Sequence, residues 1–302
     1  MSVDAELRAA EIEAPEADEL LVVVGPTATG KTELAIRLAE RFDGEVVSVD
    51  SVQIYREFDR GSGKPTAEER TRAPHHLVDL VDPRHPIDAQ RFADLADEAI
   101  ALIRSKGRAP IVCGGTFLWV KAVLAGLAPA PPADPAVRAR HAAIAGSEGR
   151  AALHAMLAVV DPASAARLAP NDYVRVSRAL EIHEISGRTQ SAWHADHGFR
   201  VARHRARLLG VFRERDELDR RIATRTEAWL AAGWIEEVES LIARGYGDAR
   251  AMGSVGYKQV RDHVDGKLAR ADLGPAIVRA TRVFVRRQRT WLRDQPVRWV
   301  TP

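Results

Sequence analysis

The octet Gly25-Pro26-Thr27-Ala28-Thr29-Gly30-Lys31-Thr32 constrains this chain more than any other feature in it. It fits the pattern G-x-x-x-x-G-K-[ST]. The apolar run Leu20-Leu21-Val22-Val23-Val24 before it reads as a buried strand, and the pattern over 33–42 after it reads as a helix. Strand, glycine loop and helix form the setting in which backbone N–H groups and a helix N-terminus hold phosphate oxygens. Lys31 adds a point charge on those oxygens, and the Thr32 hydroxyl can reach a Mg²⁺ ion. A phosphorylated ligand is therefore expected here. The octet alone does not say which.

The alternation continues. Residues 45–50 read as a second strand ending in Asp50, and residues 54–86 as loop with short elements. An amphipathic helix is expected over 88–106, with Phe92, Leu95, Ala96, Ala99, Leu102 and Ile103 on its inner face. A third strand covers 110–113, and Gly114-Gly115-Thr116 turns into a helix through 124. Such alternation argues for an α/β fold, a P-loop NTPase-like parallel sheet with helices on both faces. A proline-rich stretch over 128–135 then breaks the pattern. From 134 to about 187 the signal is only helical, with Asp134-Pro135 and Asp161-Pro162 each reading as N-cap followed by proline. An all-helical insertion is expected. A strand over 207–212 rejoins the sheet, helices follow over 216–232, 235–244 and 275–293, and 297–300 reads as a last strand. The expected division is a disordered acidic tail over 1–19, a core over 20–127 and 205–302, and the insertion over 128–204.

Composition narrows the class. Hydrophobic residues make up 46% and charged residues 28%, with net charge +2, as in a globular chain with a sizeable core. No apolar stretch approaches the ~20 residues of a membrane span. The first 19 residues carry seven acids against one arginine and no apolar segment, unlike a signal peptide, so a cytoplasmic protein is expected. The lone Cys113 excludes an intrachain disulfide and a multi-cysteine zinc site, and reads as a buried strand residue. Residues 275–302 carry seven arginines against one acid, a terminus suited to polyanions.

Several residues can carry chemistry. Asp50 ends a strand where open α/β sheets place their ligand crevice. It can hold a hydrated Mg²⁺, take a proton from a nucleophile, or merely cap the next turn. Thr116 can bond a ligand or cap its helix, and Gly114-Gly115 permit close approach. Arg221 and Arg225 share one helical face, able to stabilise charge on a leaving group or simply to lie in solvent. Arg279, Arg282, Arg286, Arg289 and Arg293 fall within roughly an 80° sector of a helix, with Ile277, Ala280, Phe284 and Trp291 opposite and expected to face the core. A one-sign stripe suits a nucleic-acid backbone. Gly61-Ser62-Gly63-Lys64 imitates a second phosphate loop but lacks a preceding strand, and reads as an active-site loop. His194 and His197 read as a loop pair rather than metal ligands.

As an ordered set, these segments resemble the bacterial tRNA dimethylallyltransferases, also called tRNA isopentenyltransferases. The matching stretches are GPTATGKTELA at 25–35, SVDSVQIYREFD at 48–59, GKPTAEE at 63–69, APHHLVDLVDP at 73–83, GGTFLWVKAVLAGL at 114–127, ADPAVRAR at 133–140, NDYVRVSRALEI at 171–182, SVGYKQ at 254–259 and RRQRTWLR at 286–293. The resemblance spans about 20–299. It departs from the usual pattern at Arg60-Gly61-Ser62-Gly63, at Trp119 where tyrosine is usual, and at Gly253-Ser254.

The resemblance implies transfer of a dimethylallyl group from dimethylallyl diphosphate to the exocyclic amine of the adenosine just 3′ of the tRNA anticodon. It implies that Gly25, Pro26, Thr27, Ala28, Thr29, Gly30, Lys31 and Thr32, with Arg221, hold the diphosphate, and that Mg²⁺ is bound at Thr32. Asp50 is then the general base, with Thr116 beside the amine and Arg225 on the leaving group. Contacts to the anticodon stem-loop are implied for Asp50, Ser51, Val52, Gln53 and Thr116; for Arg138, Val174, Arg175, Val176, Ser177 and Arg178; for Gly253, Ser254, Val255, Gly256, Tyr257 and Lys258; and for Arg286, Arg287, Gln288, Arg289 and Arg293. No membrane partner is implied, and a monomer is expected. Rival readings are a small-molecule kinase, a prenyltransferase acting on free adenine nucleotides, and a non-catalytic RNA-binding switch. The first two leave the insertion unused, and the last leaves Asp50 and Thr116 without work.

Overall fold

The computed structural model describes residues 12–198 and 202–300. These residues form two compact units, one of residues up to Leu124 and from Arg203 onward, the other Ala125–Ala202.

The larger unit is built on six parallel strands in the order β3-β2-β4-β1-β5-β6. They are β1 (Glu19–Val24), β2 (Gly44–Val49), β3 (His75–His76), β4 (Ala109–Gly114), β5 (Arg205–Val211) and β6 (Val297–Val300). Leu20 to Val24 are all solvent-free, the continuous apolar run of a strand covered on both faces. Leu21 and Val23 join Leu34, Ile36 and Leu38 of helix α1 (Lys31–Arg41) in one core cluster. Leu20, Val22 and Val24 are equally buried and point the opposite way, so the second face is covered too.

Ile12 belongs to the same cluster and is 1% exposed. Glu16 pairs with Arg205, and Glu19 with Arg207 at 2.8 Å. The end of the expected acidic tail is thus part of the fold, while residues 1–11 lie outside the described residues. Arg205 and Arg207 alternate with apolar residues along β5 and provide the countercharge, a pairing across the sheet that local charge counting does not reveal.

Two elements come from signals within the weakly patterned 54–86 region. Helix α2 (Ala67–Arg72) starts at a capping box: the Thr66 side chain accepts from Glu69 N–H at 3.1 Å, and the Glu69 carboxylate accepts from Thr66 N–H at 2.7 Å. Strand β3 then pairs with β2 at the sheet edge. Helix α3 (Ala89–Ser105) buries Ala93 and Ile100 as well as Phe92, Ala96, Ala99 and Ile103, whereas Leu102 is 49% exposed, so its inner face is rotated from the expected one. Helix α4 (Phe117–Ala125) follows β4.

The smaller unit is all helical: α5 (Pro135–Ser147), α6 (Arg150–Val160), α7 (Pro162–Arg167), α8 (Tyr173–Ser186) and α9 (Gln190–His197). Leu153, Leu157, Val176, Ala179 and Leu180 form its core. Asp134 and Asp161 cap helices whose first residue is proline, Asp161 accepting from Ser164 N–H at 3.0 Å. Its other oxygen accepts from Ser191 N–H at 2.9 Å, which ties α9 to α7. His194 and His197 are therefore helical, not loop, residues. No cluster of three or more metal-ligating side chains occurs among the described residues.

Back in the larger unit come α10 (Arg215–Ala231), α11 (Trp234–Ala243), a short 3₁₀ turn (Arg250–Gly253), α12 (Tyr257–Val264) and α13 (Arg270–Leu292). Helix α13 starts a turn earlier than expected, with Pro275 inside it. Its buried residues are Leu273, Ile277, Thr281, Val285, Gln288 and Leu292. Ala280, Phe284 and Trp291 are only half-buried flank positions, so the core face is turned from the one read in the sequence. No described helix is long and apolar enough to cross a membrane.

Candidate active site

All four central strands deliver functional groups at their carboxyl ends. The loop of residues 25–30 follows β1, Asp50 follows β2, Gly115 and Thr116 follow β4, and Arg213 follows β5. Around them lies a cavity of about 800 Å³. Thr27, Ala28, Gly30, Lys31, Thr32, Asp50, Thr116, Arg221 and Arg225 all line it. Sequence positions spread over two hundred residues are thus brought to one site.

The phosphate loop is held in shape from several sides. Gly30 sits at φ +99° as the N-cap of α1, a left-handed conformation that favours glycine. The Pro26 carbonyl accepts from Thr29 Oγ1 (2.9 Å) and from Lys31 Nζ (2.7 Å). Arg221 Nε donates to Ala28 O at 2.8 Å, Arg213 Nε to Thr29 O at 2.9 Å, and an Arg225 nitrogen to Thr27 Oγ1 at 3.0 Å. Arg221 and Arg225 therefore both grip the loop, Arg225 from a half-buried position and Arg221 from an exposed one. The Arg225 guanidinium also lies over the Trp229 ring at 4.5 Å.

Concentrating cations in a half-closed site raises the cost of their charge. Burial pushes the Lys31 amine down to about 8. Burial and the neighbouring Arg221 bring Arg225 down to about 10, so it stays charged at neutral pH. An anion in the cavity relieves both penalties. Cys113 lies on the same wall, and burial raises its thiol to about 11, which makes it a poor nucleophile.

Asp50 does cap the turn after β2, but with one oxygen: Oδ1 accepts from Val52 N–H (2.8 Å) and Gln53 N–H (3.2 Å). Among the described residues no group donates to Oδ2. Burial raises the Asp50 pKa, against the pull of these two N–H groups and of the Lys31 and Arg225 charges. A carboxylate poised this way is a better proton acceptor than an exposed one. Thr116 does not cap α4 with its side chain. Its Oγ1 accepts from Ser51 N–H at 3.2 Å and so steadies the turn that carries Asp50.

The loop of residues 59–65 forms another wall, through Gly61, Ser62, Gly63 and Pro65. The Gln53 side chain donates to Gly63 O at 2.7 Å. Behind it, Tyr257 OH accepts from Gly61 N–H (3.3 Å) and donates to Glu237 (2.6 Å). Lys64, despite its place in a phosphate-loop-like tetrapeptide, is paired with Asp59 at 2.6 Å and with Asp79. A smaller cavity of about 280 Å³ shares Ser51, Val52, Thr116, Gly253 and Ser254 with the first and adds Leu118, Trp119 and Arg250.

Some expected RNA contacts point inward. Val176 belongs to the insertion core, and Ser177 bonds His141 at 2.9 Å. Tyr257 is 0% exposed, Gly256 is buried, and Gln288 is 4% exposed. None of these side chains offers RNA a surface. Arg138 and Arg178 fork the buried Glu181 at 2.9 and 2.6 Å. Val174 and Arg175 are exposed, as are Val255, Lys258, Arg286, Arg287 and Arg293. Arg282 of the stripe pairs with Asp219 at 3.0 Å, and Arg289 donates to Arg213 O at 3.0 Å. Sequence reasoning missed Arg213 and Trp229, and read Gln53 only as an RNA contact, not as the support of the 59–65 loop. Only the folded structure reveals these roles, because each acts through loop backbone or stacking.

Residues 53–295 match the model of the family described as IPP transferase, and residues 18–80 the one described as isopentenyl transferase. The chain belongs to the IPP transferase family. A protein of Sorangium cellulosum named tRNA dimethylallyltransferase is 74% identical over 95% of this chain and 91% of its own length. One of the same name from Geobacter sulfurreducens is 45% identical over 93% and 91%. Among solved structures, the full-length tRNA isopentenylpyrophosphate transferase of Bacillus halodurans superposes with TM-score 0.69 at 37% identity, covering 94% of this chain and 90% of that one. A eukaryotic dimethylallyltransferase described as acting on tRNA gives TM-score 0.75 at 26% identity, over 91% and 70%. The fold is that of these tRNA-modifying transferases.

Proposed function

We propose that this transferase moves a dimethylallyl group from dimethylallyl diphosphate to the exocyclic amine of the adenosine just 3′ of the anticodon in tRNA. The observation that carries this reading is the placement of one available carboxylate, Asp50, in the same cavity as the cations of a phosphate loop. The bond between the allylic carbon and the diphosphate oxygen breaks, and its electron pair leaves with the diphosphate. The adenine nitrogen forms the new bond to that carbon, and its proton passes to Asp50 Oδ2. Lys31, Arg221, Arg225 and the loop N–H groups stabilise the charge that gathers on the leaving group. Thr116 and Ser51 keep Asp50 in register. To reach a half-buried carboxylate the adenine leaves its stack, as in base flipping.

The residues fit a magnesium ion held mostly by substrate oxygens and water, since Thr32 supplies a hydroxyl and the described residues hold no cluster of carboxylates. Bound there, the ion adds positive charge on the departing diphosphate. The exposed Val174, Arg175, Val255, Lys258, Arg286, Arg287 and Arg293 are the proposed RNA contacts. A monomeric, cytoplasmic enzyme completes the reading. The test is to incubate the protein with dimethylallyl diphosphate and offer tRNA, AMP or ATP, weighing each product. A mass gain of one dimethylallyl group on tRNA alone is expected. Gain on AMP or ATP alone, or transfer of a labelled γ-phosphate, contradicts the proposal.

A further inference from the structure

Gln288 stands in the run Arg286-Arg287-Gln288-Arg289, yet it does not share its neighbours' situation. Arg286 and Arg287 are exposed, while Gln288 is 4% exposed. A buried amide needs partners for both its ends. Here they come from two different loops: Oε1 accepts from Thr27 N–H at 2.9 Å, and Nε2 donates to Gly115 O at 3.0 Å. The loops belong to β1 and β4, adjacent strands of the sheet. A Cβ on Gly115 would lie 2.7 Å from Gln288 Nε2, so the glycine leaves the room that the amide occupies.

The geometry points to Gln288 as a positioning residue for the diphosphate, a clasp by which the arginine-rich helix α13 sets the phosphate loop. Thr27 is then fixed at both ends, its N–H by Gln288 and its hydroxyl by Arg225. A second tie runs in parallel from the next residue of the helix, Arg289 to Arg213 O and Arg213 to Thr29 O. The Gly115 end continues to the acceptor side, because Thr116 bonds the turn that bears Asp50. One side chain thus holds the diphosphate loop and steadies the base. The clasp rests on the reading that the diphosphate occupies residues 25–32.

The test is titration of the RNA-free protein with inorganic pyrophosphate and Mg²⁺ by calorimetry, in the wild type, Gln288→Ala and Gln288→Glu. The clasp predicts binding about tenfold weaker in Gln288→Ala, a loss of about 1.4 kcal/mol, with affinity for an anticodon stem-loop within about twofold of wild type. Gln288→Glu keeps the acceptor for Thr27 but loses the donor to Gly115 and adds a negative charge beneath the loop, so it binds pyrophosphate more weakly still. Unchanged pyrophosphate affinity with weakened RNA binding overturns the clasp and makes Gln288 an RNA contact. If a variant melts early, hydrogen exchange of the wild type decides. A protected Thr27 amide in the RNA-free, pyrophosphate-free protein supports the clasp, and exchange at the rate of an open loop overturns it. Failure of the wild type to bind pyrophosphate instead overturns the reading of the loop itself.

Discussion

Two carboxylates at opposite ends of β2 meet opposite fates, and the difference lies in their donors. Glu45 is 1% exposed, and burial alone would raise its pKa. Hydrogen bonds from His76 (2.6 Å), Lys106 (3.0 Å) and Arg108 (2.9 Å) outweigh that and hold it at about 2. Asp50 receives only backbone N–H groups at one oxygen, with its cations acting from further off, and burial wins. Glu45 is therefore a fixed anion that fastens the sheet edge, and Asp50 is the carboxylate proposed as the base, with no donor on its second oxygen among the described residues. Since the folded Glu45 value lies below its ordinary 4.5, its stabilisation is complete above about pH 4.5 and is lost as pH falls toward 2. Glu45→Gln is expected to cost about 2 kcal/mol at neutral pH, below the range for fully buried pairs because its cationic partners can resolvate. Urea unfolding at pH 7 and pH 3 checks it: the gap between variant and wild type should narrow at the lower pH, and a constant gap contradicts the assignment.

At the scale of elements, helix α13 does two jobs on two faces. Its buried face carries Gln288 to the phosphate loop, and its exposed face presents Arg286 and Arg293. The arginines of the stripe are unequal, because Arg282 is neutralised by Asp219 and Arg289 is tied to Arg213 O. Arg286→Ala should reduce the salt slope of tRNA affinity by about one, whereas Arg282→Ala should change it by less than half as much. Equal effects, or a salt-independent affinity, contradict the proposed role of the exposed face. The stripe was legible because charge repeats at helical spacing. The exact core face was not, since Thr281 and Gln288 turn inward against any hydrophobicity pattern, Thr281 bonding Ile277 O and Gln288 two distant loops. Likewise α9 was hidden by its polar composition and is fixed by the Asp161 bond to Ser191 N–H. The phosphate loop, Asp50 and Thr116 could be read because each ends an apolar strand. Arg213 and Trp229 could not, because they act by reaching elements far away in sequence.

The whole larger unit gathers the proposed leaving-group holder and the proposed proton acceptor into one cavity at the carboxyl ends of one sheet. In that proposal the holder is the loop with Lys31, Arg221 and Arg225, and the acceptor is Asp50. Because they sit on different strands, with separate hydrogen bonds holding each, one can be disabled while the other survives. The direct measurement is Asp50→Asn, which keeps the shape and the Oδ1 acceptor but removes the base. Pyrophosphate affinity of this variant should stay within about threefold of wild type, while prenyl transfer to tRNA falls by about 10²-fold or more. Transfer at the wild-type rate, or loss of transfer only in step with loss of pyrophosphate binding, would contradict the division of labour described above.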